Sequence, residues 1–116
     1  FTSGSIMTLE QQARGDITIL RPVGRLDSAS SPELELAILE RLDGGCNRLV
    51  FDLADMDYVS SAGLRVILLA GKKLRASQGK LVIAGMRDMV REVFEMSGFL
   101  TLFAVAPSVD DAIAKF

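Results

Sequence analysis

The sequence predicts an α/β domain in which a mixed, mainly parallel β-sheet of about four to five strands is packed by about four α-helices. Short apolar runs alternate along the chain with segments whose apolar residues repeat at helical spacing. The runs at residues 49–53 and 81–84 are almost wholly apolar, which is typical of strands buried on both faces of a parallel sheet. The 116 residues fit one domain with a core of its own.

The elements are predicted in the order strand, strand, helix, strand, helix, strand, helix, strand, helix. The strands are expected at residues 8–14, 17–20, 49–53, 81–84 and 102–105, and the helices at 32–43, 62–78, 88–97 and 109–116. Pro22 indicates that the second strand ends there or lies at a sheet edge, because proline donates no ladder hydrogen bond. Ser31 is predicted to cap the first helix, and residues 54–59 are expected to form a loop.

Composition and charge exclude several classes of protein. The net charge of -2 and pI of about 5.1 argue against nucleic-acid binding, which favours a basic surface. A single cysteine, Cys46, cannot form an internal disulfide, so a reducing, cytoplasmic compartment is expected. No apolar run approaches the roughly 20 residues of a membrane-spanning helix, so no direct membrane insertion is expected. Residues 1–6 are interpreted as a cloning remnant that precedes a domain of residues 7–116.

The residue types limit the chemistry that this chain can perform. Histidine is absent, so neither a Ser-His-Asp triad nor a zinc site of His and Cys can be built. A Ser-Lys nucleophile needs a buried lysine, and the lysines fall at helix ends or turns. Neither a phosphate-binding loop nor a dinucleotide-binding glycine motif is present. We therefore expect no enzymatic activity and no cofactor.

Three carboxylates cluster where the third predicted strand ends. Asp52, Asp55 and Asp57 would lie at the carboxyl edge of the sheet, where α/β proteins bind ligands. One hypothesis is a Mg²⁺ site, because hard cations prefer such oxygens. A solvated acidic loop is the more common structure, and we therefore predict no metal site.

Two adjacent hydroxyls, Ser60 and Ser61, stand where a loop becomes the second helix. Serine is a preferred N-cap, and one of the two is expected to cap the helix. The other hydroxyl could accept a phosphate, because free amides and the positive end of the helix dipole favour an anion there.

Three motifs in this order resemble the STAS domain, the fold of bacterial anti-sigma factor antagonists. Residues 24–27 (Gly-Arg-Leu-Asp) are similar to the family's G-x-L-D, and residues 58–64 are similar to its D-S-[ST]-G-L switch motif. Residues 94–99 are similar to the apolar-S-G-[LF] motif that ends its third helix. The resemblance extends over nearly the whole of residues 7–116, and it implies a single-domain STAS-like fold.

Matching the switch motif position by position implies which residues carry the function. The family's phosphoacceptor serine falls on Ser61, its preceding aspartate on Ser60, its next hydroxyl residue on Ala62 and its glycine on Gly63. Asp27 and Ser28 are implied to complete the partner-binding face. This sequence departs from the motif at Ser60, where the acid is missing, and at Ala62.

The resemblance implies a phosphorylation switch. The implied partner is an anti-sigma factor with a kinase-like ATPase fold, which the unphosphorylated chain binds and which phosphorylates Ser61; a PP2C-type phosphatase resets the switch. One alternative is a constitutive STAS adaptor subunit of a signalling or lipid-transport complex. Another is a small-molecule or nucleotide binder that uses the same loops.

Overall fold

The computed structural model describes residues 8–101 and 103–116, so the predicted remnant at residues 1–6 and the predicted domain start at residue 7 lie outside the described residues. A short 3-10 turn occupies Phe99–Thr101. The strands and helices, in chain order, are β1 (Thr8–Arg14), β2 (Ile17–Leu26), α1 (Ser31–Asp43), β3 (Arg48–Asp52), β4 (Met56–Val59), α2 (Ser61–Ala76), β5 (Lys80–Ala84), α3 (Asp88–Met96), β6 (Ala104–Ala106) and α4 (Val109–Ile113).

The described strands form one six-stranded sheet. Its order is β1-β2-β3-β5-β6, and β4 pairs with β2 outside this path. The β1–β2 pair is antiparallel, whereas the other pairs are parallel. This confirms the predicted α/β class and the mixed, mainly parallel sheet. Within residues 8–101 and 103–116, no helix has the length and hydrophobicity that crossing a membrane requires.

The central strands are apolar on both faces because each face is covered by helices. In β3, Leu49 and Phe51 pack into the core beneath α1, α2 and α3, whereas Val50 packs into a second core on the opposite face. In β5, Leu81 and Val82 alternate in the same way. Side chains of a strand point alternately to the two faces, so a strand between two helical layers has no polar side.

The helices bury one apolar stripe each. Three of them cover one face of the sheet through Leu34 of α1, Ile67 of α2 and Phe94 of α3, all fully buried. Helix α4 covers the other face with Ala112. The last strand, β6, begins at Ala104, later than predicted, and Leu102 lies outside the described residues.

Pro22 neither ends the second strand nor marks an edge, so that prediction is wrong. β2 runs through Pro22, which pairs with Leu9 of β1. On its other side, β2 pairs with β3 at residues 18–20 and with β4 at residues 24–26. Pro22 lies between these two ladders and is not among the residues of β2 that pair with β3 or β4, so the strand tolerates a residue without an amide hydrogen there.

The predicted loop at residues 54–59 contains a strand, β4, and this expectation is also wrong. Met56 and Val59 are buried, while Asp57 and Tyr58 between them are exposed. The two aspartates of this segment favour a loop in a sequence-based reading, but pairing with the end of β2 imposes the strand. The register shifts next to Gly24, whose φ of 106° lies in the left-handed region that favours glycine.

This pairing determines where the loops lie. Because β2 and β4 are parallel, the loop that follows β2 and the residue that follows β4 meet at the same edge of the sheet. The amide of Ser60 donates to the Leu26 carbonyl oxygen at 2.8 Å. The beginnings of α1 and α2 are therefore brought together, and the helices pack along one another.

Candidate functional site

The loop between β2 and α1 is closed by hydrogen bonds to Asp27. One carboxylate oxygen accepts from the amides of Ala29 at 3.0 Å and Ser30 at 3.1 Å. The hydrogen bond from the Ser30 amide is the main reason why the pKa of Asp27 lies below its ordinary value. The half-buried Asp27 is thus a turn-forming residue as well as a predicted partner-binding residue.

Ser30, and not Ser31, is the N-cap of α1, which corrects the prediction. Its hydroxyl donates to the Arg25 carbonyl oxygen at 2.8 Å and accepts from the Asp27 amide at 2.9 Å, and it caps no amide of the helix. The Ser31 hydroxyl donates to the Asp27 carbonyl oxygen at 2.5 Å. Both serines are buried, so both hydroxyls of this helix start are used inside the protein.

The start of α2 is built differently, although it also carries two serines. Ser60 is the N-cap, and its hydroxyl accepts from the Gly63 amide at 3.2 Å. Ser61 is the first residue of the helix, and it is exposed. Within the described part of the chain, the Ser61 hydroxyl makes no hydrogen bond, because Ser60 already performs the capping.

Gly63, which the resemblance assigns to the partner-binding face, is buried. A Cβ on Gly63 would lie 2.7 Å from Cγ of Leu26 and 3.0 Å from Cγ2 of Val59. The glycine instead allows the first turn of α2 to pack closely against the ends of β2 and β4. Direct partner contact by Gly63 stays a prediction.

A groove lies between α1 and α2, and its lining begins on α2 at Ala62, the residue after the exposed Ser61. Its volume is about 330 Å³, and two predicted partner-binding residues meet in it, namely Ser28 of the loop before α1 and Ala62 of α2. Pro32, Val66 and Leu69 give it an apolar lining. The fold thus brings residues that lie far apart in the sequence to one groove, and Ser61 directly precedes one of them, Ala62.

Two charged residues around this surface were not assigned a role from the sequence. The Arg25 guanidinium lies over the ring of Tyr58, 4.4 Å from its centroid, and 3.8 Å from the Asp27 carboxylate. Arg65 is exposed and lines the groove. The sequence signal for Arg65 was its position one helical turn after Ser61.

The three clustered aspartates are paired with arginines. Asp55 forms a hydrogen bond with Arg21, and Asp57 accepts from Arg87 at 2.6 Å. Asp52 lies 3.9 Å from Arg21. Among residues 8–101 and 103–116, no group of carboxylates and cysteines could hold a metal ion. Ion pairing is thus the structural role of this cluster.

Comparison with known proteins decides the family. A model of the STAS domain family matches residues 8–112, which is most of the chain. The chain belongs to the STAS domain family. This confirms the resemblance drawn from the three motifs, and it places the Asp27 loop and the start of α2 within a domain found in anti-sigma factor antagonists.

One curated STAS relative carries the provisional name anti-sigma factor antagonist BtrV and comes from Bordetella bronchiseptica. It is 50% identical over 93 residues, which cover 80% of each chain. Among solved structures, an anti-sigma factor antagonist from Mycobacterium paratuberculosis matches with a TM-score of 0.88, at 22% identity over 99% of this chain and 97% of that one. The phosphorylated form of the Bacillus cell fate determinant SpoIIAA matches at 0.73, with 19% identity over 94% and 97%. These structures share the fold.

Proposed function

We propose that this STAS domain is a non-enzymatic, cytoplasmic binding module controlled by phosphorylation of Ser61. Unmodified, it binds an anti-sigma factor with a kinase-like ATPase fold; carrying a phosphate, it releases that partner. The observation that carries the proposal is that two neighbouring serine hydroxyls have different roles. Ser60 caps α2, which leaves the hydroxyl of Ser61 exposed and unused within the described residues.

The position of Ser61 favours a reversible phosphate. The first amides of a helix have no partners within the helix, and the dipole makes this end positive, so an added anion is accommodated without unfolding α2. In the transfer, the Ser61 oxygen bonds to the γ-phosphorus of ATP, its proton passes to a base, and ADP leaves. Phosphorylation then adds about -1.5 to -2 charges at the residue that directly precedes Ala62 of the groove.

The base for this transfer is expected to come from the partner. Ser60 stands where the family has an acid, and a serine hydroxyl is too weakly basic to take the proton. Asp27 is held by the Ala29 and Ser30 amides, and its lowered pKa makes it a poor base. An ATP-binding kinase partner supplies both the nucleotide and the base, in keeping with the absence of a phosphate-binding loop from this chain.

The groove explains why the phosphate would release the partner. A bound partner would cover Ala62 and Leu69, which line the groove and are only partly buried. Burying a doubly charged phosphate on the adjoining Ser61 would cost far more than burying a neutral hydroxyl. The names of the relatives support an anti-sigma factor as the partner, and the phosphorylated form of SpoIIAA supports a phosphate on this fold. A PP2C-type phosphatase would restore the free hydroxyl.

The second candidate is a constitutive STAS adaptor subunit of a signalling or lipid-transport complex. The observation that favours it is the substitution of Ser60 and Ala62 for the family's acid and second hydroxyl. An adaptor would use the same groove for a permanent partner, and its binding would be indifferent to the side chain at Ser61.

The test is binding of a kinase-type anti-sigma factor to matched variants, measured by calorimetry. We expect Ser61→Ala to bind like the wild type and Ser61→Asp to bind about a hundredfold more weakly, because binding would bury an added carboxylate at the interface. The control is Thr8→Asp, which also replaces an exposed hydroxyl side chain by a carboxylate, but on β1. It should leave the affinity for the partner unchanged. Incubation with the partner and ATP should place one phosphate on Ser61 by mass spectrometry. Full binding by Ser61→Asp together with an unmodified Ser61 would contradict the switch and favour the adaptor.

A further inference from the structure

Arg65 is placed to interact with a group attached to Ser61. The two residues are four apart on α2, so their side chains lie on the same face one turn from each other. An anion that precedes a cation by four residues has the orientation favoured by the helix dipole. Both side chains are exposed, so neither must leave the core to meet the other.

Arg65 is the uncommitted cation of this surface within the described residues. The other arginine near the switch, Arg25, is held between the Tyr58 ring at 4.4 Å and the Asp27 carboxylate at 3.8 Å. Arg65 makes no ion pair with a described residue. It lines the groove together with Glu35 of α1, which lies across from it.

We propose that Arg65 is the intramolecular partner of the phosphate on Ser61. This inference rests on the proposed function and names the residue that regulates its switch site. In the unmodified protein, Arg65 and Glu35 give the groove balanced charges, and the guanidinium is available to a bound partner. When Ser61 is phosphorylated, Arg65 pairs with the phosphate, because a guanidinium binds phosphate oxygens through two parallel hydrogen bonds.

Two consequences follow for the bound partner. Phosphorylation withdraws a cation from the groove, and it leaves the Glu35 carboxylate there without a compensating charge. The same step adds about -1.5 to -2 charges at Ser61. The net charge of the surface formed by Ser61, Arg65 and Glu35 thus changes from neutral to negative, although the helices keep their positions.

The proposal is tested with phosphoserine installed at position 61 during synthesis, so that no kinase is required. The second pKa of the phosphate is read from the ³¹P chemical shift as a function of pH, in the wild type and in Arg65→Gln. We expect the wild-type phosphate to have a pKa about 0.3 lower than in Arg65→Gln, because a nearby cation favours the dianion. Arg75→Gln, an exposed arginine near the other end of α2, is the matched control and should reproduce the wild-type value.

Equal phosphate pKa values in the wild type and Arg65→Gln would overturn the inference. Arg65→Lys should recover part of the difference, because lysine keeps the charge but lacks the planar guanidinium. This result is separable from the proposed function. If the synthetic phosphate pairs with Arg65, the role of Arg65 is upheld even if no kinase modifies Ser61. If the phosphate does not pair with Arg65, that role is overturned even if a kinase does modify Ser61.

Discussion

The two helices that border the groove both begin with a pair of serines, and the pairs are used in opposite ways. At α1, Ser30 and Ser31 are 0% and 4% exposed, and their hydroxyls hydrogen-bond to the preceding loop. At α2, Ser60 caps the helix, while Ser61 faces solvent with its hydroxyl unused within the described residues. A hydroxyl at a helix start is therefore available for modification only where a neighbour performs the capping and the chain leaves it exposed.

Ser30→Ala should produce the largest loss of stability. The buried Ser30 hydroxyl donates to the Arg25 carbonyl oxygen and accepts from the Asp27 amide, so its removal leaves both groups without that partner. We expect the free energy of unfolding, measured with urea, to fall by about 2 kcal/mol. The control is Ser28→Ala in the same loop, which is exposed and should change stability little. Equal stabilities of the two variants would show that the α1 start does not depend on its buried hydroxyl.

Ser60→Ala should cost about half as much. It removes the acceptor of the Gly63 amide and thereby one cap hydrogen bond of α2, a loss of about 1 kcal/mol in the free energy of unfolding. Ser60→Asp keeps an acceptor at the cap, so urea unfolding should give nearly the wild-type stability. If Ser60→Asp were as unstable as Ser60→Ala, the capping role would be refuted.

Asp27, which closes the loop before α1, should make the stability of the protein sensitive to acid. Its folded pKa is lowered mainly by the Ser30 amide, so its stabilisation is complete above the unfolded pKa of about 3.9 and is lost as the pH falls through the folded value. Urea midpoints recorded from pH 6 down to pH 2.5 should therefore fall in the wild type. Asp27→Asn cannot ionise, and it should show a smaller fall below pH 4. Identical slopes for the two proteins would contradict this role.

Ser61→Ala should have the smallest effect on stability. The hydroxyl has no partner within the described residues, and exposed substitutions usually change the free energy of unfolding by less than about 0.5 kcal/mol. The urea midpoint should match the wild type, while phosphorylation by a competent kinase is abolished. A loss comparable to that of Ser60→Ala would mean that Ser61 shares the capping, and it would remove the distinction between the two pairs.

Much of the fold was predictable because its signals are local. The apolar runs of β3 and β5 and the apolar repeat of α2 identified these elements. The β4 strand was missed because it is only four residues long and lies beside two aspartates that favour a loop, so that its pairing with β2 decides its structure. The cap of α1 was misplaced by one residue, because buried hydrogen bonds to the loop decide between Ser30 and Ser31.

The amino-acid sequence by itself determined the class of the domain, its family and the pair of serines that contains the candidate switch, because periodicity, turn residues and motifs are properties of neighbours in the chain. Only the tertiary structure decided which of those serines is the cap, that Gly63 faces inward, and that Ser28, Arg65 and Glu35 share a groove. These facts depend on the parallel pairing of β2 with β4, which brings two helix starts to one edge of the sheet. Contacts between residues distant in the chain leave no periodic pattern from which they could be inferred.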